Sequence, residues 1–270
     1  MLPLLRLTLL LILFVASGPR ALAAAVAMPD RFSAEVAGKV LQDGGNAVDA
    51  AVAAGFTLAV TYPESGNIGG GGFMTIYMDG EPAFLDFREK APGKAERDMF
   101  LDEGGKFVQR DSLVGGRASG VPGTVRGLWT AHQRFGSLPW ARLLQPAITL
   151  AVDGFEVHPD LAAYARDKVA DINGDTNFAA YFGSMAAGET FRQPELAATL
   201  KRIAEDPDDF YTGETARLLA AQMIRAGGLI NAADLEAYEA VWRAPLSADW
   251  RGYTVLTAPP PSSGGIALIQ

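Results

Sequence analysis

Four consecutive glycines, Gly69 to Gly72, lead straight into an apolar stretch, so that residues 66–89 read GNIGGGGFMTIYMDGEPAFLDFRE. Each glycine surrenders the most backbone freedom on ordering, so such a run is poorly placed inside a helix or a strand and marks backbone passing very close to something. Two readings follow: a tight crossing of the chain over itself, or a loop lining a ligand. The runs Phe73 to Met78 and Ala83 to Phe87 are aromatic and β-favouring, and Asp79-Gly80 between them is a hairpin signal. Alternation puts Phe84, Asp86 and Arg88 on one face and Leu85 and Phe87 on the other, with Arg88 at the strand end.

The 270 residues are 49% hydrophobic and 20% charged, enough for a sizeable core in one large domain or two small ones. A net charge of −8 without a Lys/Arg cluster argues against nucleic acid as a partner. Residues 1–23 read as an export signal, with Arg6 before an unbroken run from Leu7 to Ala16 and the small-residue pattern Ala21-Leu22-Ala23. The alternative, a membrane anchor, needs about 20 apolar residues, and Gly18-Pro19-Arg20 interrupts the run well short of that. The expectation is therefore a periplasmic or secreted protein whose domain spans 24–270, with no membrane span after signal removal. The chain has no cysteine, which excludes a lipoprotein anchor, disulfides, a thiolate nucleophile and Cys-ligated metal.

Apolar spacing predicts a helix over 30–41, and a second from the cap Asn46 to Pro63 with Asp49 in its first turn. The alanines of the second suggest a buried helix packed close against a sheet. Residues 115–123, GGRASGVPG, read as irregular. Further helices are expected over 125–135, 140–152, 159–169, 194–204, 214–225 and 233–241. Two strands follow Pro245, and then comes a rigid Pro-Ser-Gly turn over 259–265 ahead of the apolar 266–269. The chain stops inside that apolar run, which reads as a cut through an element whose remainder lies downstream.

Among motifs that carry chemistry, the glycines lack the Lys-Ser/Thr of a phosphate loop and the G-x-G-x-x-G of a dinucleotide site. The two histidines, His132 and His158, have no paired metal-ligand spacing and read as surface or capping residues. Gly116-Arg117-Ala118-Ser119-Gly120 misplaces the serine of a nucleophile elbow by one position, and Ser262-Ser263 read as turn residues. Asp86, Arg88 and Glu89 remain. Taken alone they are a solvated strand end; beside the glycine loop, Arg88 can offer its planar fork to a ligand carboxylate while an acidic neighbour orients it.

The segments GGNAVDAAVA (44–53), ESGNIGGGGFM (64–74), LDFREKAP (85–92), RDMFLD (97–102), ASGVPGTVRG (118–127) and RGYTVLTAPPPSSGG (251–265), in this order, resemble the large-subunit portion of the γ-glutamyltransferases (γ-glutamyltranspeptidases). The resemblance implies the large-subunit part of an α/β (α+β) N-terminal-nucleophile hydrolase, an αββα sandwich made as a precursor that cuts itself before a threonine. It implies transfer of a γ-glutamyl group from glutathione or a similar donor through an acyl-threonine, with water, amino acids or peptides as acceptors. No cofactor or metal is implied, and the partner is a small subunit produced by autoproteolysis. Arg88 matches the family's arginine for the donor α-carboxylate, with Asp86 and Glu89 as its expected partners. The catalytic threonine belongs to the small subunit, so no catalytic residue is expected in this chain, and alone it is expected to be inactive. Ala267 stands where many relatives carry histidine. A related cephalosporin or glutaryl acylase and a non-catalytic binding remnant are the alternatives.

Overall fold

The computed structural model describes residues 24–172 and 176–270; the expected export signal lies outside the described residues. Helix α1 (Arg31–Gln42) starts at Asp30, whose carboxylate accepts from the Ser33 amide at 2.7 Å. Helix α2 (Ala47–Thr61) starts at Asn46 in a full capping box: Asn46 accepts from the amides of Val48 and Asp49, and Asp49 accepts from the Asn46 amide. Helix α2 is buried nearly all round, from Val48 through Phe56 to Thr61. It packs chiefly against α1, α3 (Thr124–Phe135) and α4 (Trp140–Asp153). Gly55 opens a slot for Leu128 of α3, and Phe56 meets Trp140 of α4 edge-on at 5.4 Å. Small side chains thus serve helix–helix contact here.

The hairpin forms as the sequence indicates. Strands β1 (Phe73–Met78) and β2 (Glu81–Asp86) pair antiparallel, with Phe73 opposite Asp86, through a turn whose residues Asp79 and Gly80 have φ of 53° and 84°. Short paired strands β3 (Phe155–Glu156) and β4 (Thr190–Phe191) flank α5 (Pro159–Ile172) and α6 (Phe178–Phe182). Helices α7 (Pro194–Glu205), α8 (Asp209–Thr212) and α9 (Glu214–Arg225) follow.

The expected helix over 233–241 breaks in two. Only α10 (Ala232–Glu236) is helical, and β5 (Val241–Arg243) joins β2 antiparallel, with Asp86 opposite Val241 and Phe84 opposite Arg243. The three-stranded sheet therefore runs β1-β2-β5. Ile76, Ala83 and Leu85 face the helical core, with Trp242 edge-on to Phe135 of α3 at 5.8 Å. On the opposite face Phe73 stacks on Phe84 at 5.6 Å, and Tyr77 is 67% exposed. Strands β6 (Leu246–Trp250) and β7 (Tyr253–Thr257) form a separate hairpin. The expected turn over 259–265 is shorter than its sequence suggests, because α11 (Ser263–Ile269) already begins at Ser263. Gly265 permits this: a Cβ there would lie 1.8 Å from the Ala258 carbonyl oxygen.

Candidate functional site

The glycine run crosses the chain's own segment 87–89. Gly72 and Phe87 exchange backbone hydrogen bonds at 3.0 and 3.3 Å, extending the β1–β2 ladder by a pair. A Cβ on Gly71 would stand 2.5 Å from the Phe87 carbonyl oxygen and 2.8 Å from the Glu89 nitrogen, and one on Gly72 would touch the Phe87 ring. None of the four has positive φ, so they are needed for close approach rather than for an unusual conformation. Gly69 alone has room around it. It lines a cavity of about 820 Å³ together with Asn67, Tyr181, Phe182, Arg192 and Leu196. The close crossing is thus realised at Gly71 and Gly72, while Gly69 lines a cavity. Arg88 is not among the residues around that cavity.

A second glycine segment closes over 87–90 from the other side. Lys90 and Val121 exchange backbone hydrogen bonds at 3.2 and 2.8 Å, and the Gly70 carbonyl accepts from the amides of Gly123 and Thr124 at the start of α3. A Cβ on Gly123 would lie 2.0 Å from the Phe87 carbonyl oxygen, and one on Gly127 2.1 Å from the Phe87 ring. Phe87 is buried between these helices and the hairpin, while Arg88 points the other way and is exposed. Among the described residues, nothing donates to, accepts from or pairs with the Arg88 guanidinium. Its planar fork is therefore available to a planar anion.

The acidic neighbours do not take the roles the sequence suggested. Asp86, buried, accepts the Arg88 backbone amide on Oδ1 at 3.1 Å, and its Oδ2 is held by Arg243 Nε and Nη2 at 2.9 and 2.8 Å. Its carboxylate is occupied by β5 and does not orient the Arg88 guanidinium. Glu89 lies against Gly70 and Gly120 and makes no ion pair with Arg88. The carbonyl of Arg88 accepts instead from the Tyr238 hydroxyl at 2.8 Å.

Tyr238 was not singled out in the sequence because its segment, AYEAVWRAP, reads as a continuing helix. The signal that could have found β5 is the β-favouring Val241-Trp242 just before Pro245. Tyr238 stacks on Tyr211 at 5.8 Å, and Tyr211 in turn donates to the Pro122 carbonyl and accepts from the Arg126 amide. Burial pushes both phenols well above the usual tyrosine range, and for Tyr238 the negative charges of Asp86 and Glu89 add to this. Both therefore stay protonated and act as donors.

The histidines differ from each other. His158 is exposed, whereas His132 packs against Trp129 and Trp140 and shares a hydrogen bond with the Leu138 carbonyl at 2.8 Å. Among the described residues, no group of three or more His, Cys, Asp or Glu side chains is placed to hold a metal ion, and no helix is long and apolar enough to cross a membrane.

The γ-glutamyltranspeptidase family model matches residues 33–270. A glutathione hydrolase proenzyme of Pseudomonas aeruginosa is 60% identical over 91% of this chain, and one of Escherichia coli is 46% identical over the same share. The chain spans 44% and 43% of the lengths of those two relatives. A solved γ-glutamyltranspeptidase from Pseudomonas nitroreducens, complexed with L-DON, superposes with a TM-score of 0.90 at 61% identity, covering 91% of this chain and 74% of that one. The fold class of this chain is therefore that of the N-terminal-nucleophile hydrolases, with mixed helix and sheet. A match over almost the whole described chain, together with the same fold, makes this chain a member of the γ-glutamyltranspeptidase family.

Proposed function

We propose that this chain is the large-subunit part of a γ-glutamyl transferase and hydrolase, and that Arg88 binds the α-carboxylate of the γ-glutamyl donor, glutathione or a close relative of it. The chemistry then runs on residues outside these 270: an N-terminal threonine, released when the precursor cuts itself, attacks the γ-carbonyl. The resulting acyl-enzyme is resolved by water, an amino acid or a peptide. Reading residues 1–23 as an export signal places the enzyme in the periplasm or outside the cell.

One observation carries the role of Arg88. An exposed guanidinium with no partner among the described residues stands on a backbone held from both sides by glycine segments, in a chain of this family. A planar fork anchored on so fixed a backbone can pair a carboxylate bidentately, and truncating one member of a charge pair that becomes desolvated and hydrogen-bonded on binding costs about 2–5 kcal/mol. In the processed enzyme, Arg88→Ala is therefore expected to lower kcat/KM for a γ-glutamyl anilide by about thirtyfold to several thousandfold. Arg88→Lys keeps the charge but not the fork and should fall between. An Arg88→Ala enzyme with unchanged kcat/KM would exclude the assignment.

A further inference from the structure

Both backbone polar groups of Arg88 are bound by side chains rather than by a strand partner. The amide is held by Asp86, which Arg243 fixes in turn, and the carbonyl is held by the Tyr238 hydroxyl. The supports of this clamp lie far along the chain, Tyr238 at 150 residues from Arg88 and Arg243 at 157 from Asp86. The Tyr238 oxygen fits a space that glycine keeps open, since a Cβ on Gly123 would lie 2.1 Å from it. Its ring is 2% exposed, stacked on Tyr211, with Lys90 Nζ 4.9 Å from the ring centre and donating to the Glu239 carbonyl at 2.9 Å. A phenylalanine would keep all of the ring packing, so the hydroxyl's own task is the residue-88 carbonyl.

We infer that Tyr238, with Arg243 acting through Asp86, is a positioning residue for recognition of the donor carboxylate. The two contacts set the direction in which the Arg88 side chain leaves the backbone. This rests on the reading that Arg88 binds that carboxylate. A guanidinium at the end of a flexible stem reaches a planar anion bidentately only from a narrow range of origins, so loosening the backbone weakens that pair while leaving the remainder of the ligand's contacts in place.

The test uses the processed enzyme and two competitive inhibitors of γ-glutamyl anilide turnover. L-glutamate carries the α-carboxylate; 4-aminobutyrate keeps the amine and lacks it. Tyr238→Phe is expected to raise the inhibition constant of L-glutamate by about three- to tenfold, the scale of one lost hydrogen bond, with that of 4-aminobutyrate unchanged. In an Arg88→Ala background the same substitution should have no further effect on L-glutamate. Arg243→Gln, which alters a half-exposed side chain at the other end of the clamp, should show the same selectivity and keeps the inference testable if Tyr238→Phe fails to fold. Equal weakening of both inhibitors, or no weakening of L-glutamate by either variant while Arg88→Ala does weaken it, would overturn the inference and leave Arg88 as the carboxylate ligand. An Arg88→Ala enzyme that binds L-glutamate normally would instead remove the reading beneath it.

Discussion

At the scale of single residues, the glycines of this site fall into two kinds that look identical in sequence. Gly69 has free space, whereas a methyl on Gly123 would collide with a main-chain oxygen at 2.0 Å and with the Tyr238 hydroxyl at 2.1 Å. Main chain cannot swing aside as the tip of a side chain can, so Gly123→Ala is expected to destabilise by about 1–3 kcal/mol or more, and Gly69→Ala by under about 0.5 kcal/mol. Urea denaturation of the two variants checks the difference; equal midpoints would contradict it. Arg88 could be singled out from its place after an apolar hairpin beside four glycines. Its true supports could not, because Tyr238 and Arg243 are distant in sequence and Asp86, adjacent, is already committed to Arg243.

Among the elements, caps and turns were the most readable. Asn46 and the Asp79-Gly80 pair act where their local chemistry indicates, because each bonds within a few residues of itself, and Asp30, expected inside the first helix, caps it instead. The strand β5 was hidden, since Ala233 to Ala240 continues a helical pattern and only pairing with β2 decides the outcome. Asp49 joins the two kinds of information. Beyond capping α2, its buried carboxylate accepts from the Ser137 amide and hydroxyl at 3.0 and 2.5 Å and from the Leu138 amide at 3.3 Å, tying α2 to the loop before α4. Burial raises its pKa, but these donors, Ser137 foremost, outweigh that and hold the carboxyl below the usual aspartate range. Its contribution is therefore complete above the unfolded-state value of about 3.9 and is lost as pH falls through the lower folded value. Asp49→Ala leaves several donors unpaired and should cost about 2–3 kcal/mol near neutral pH. Asp49→Asn should in addition flatten the fall of stability as pH drops below about 4, measured by urea midpoints. An unchanged acid slope in that variant would refute this linkage.

For the whole molecule, the described sheet is covered on one face by helices, while its other face shows Tyr77, and the hairpin and helix that follow expose Trp250, Tyr253 and Leu268. Expressed as these 270 residues alone, the protein is expected to self-associate at micromolar concentration, through an open sheet and exposed apolar side chains. Sedimentation that finds only monomer would contradict this. The same chain should release no glutamate from a γ-glutamyl anilide above a mock preparation if, as proposed, it supplies the carboxylate-binding Arg88 while the nucleophilic threonine lies outside these 270 residues; measurable turnover would overturn the proposed division of labour. The long reach of the Tyr238 and Arg243 contacts bears on how such a protein is made. Arg88 leaves the ribosome early, but its geometry is set only when residues 150 and 157 positions after their partners have been synthesised and docked on β2. Contacts of that span are formed late and slowly. If Arg88 is the carboxylate ligand proposed above, a nascent chain carries it in an incompetent form until Tyr238, 150 residues later, has been made, and recognition matures only with the closing of the sheet.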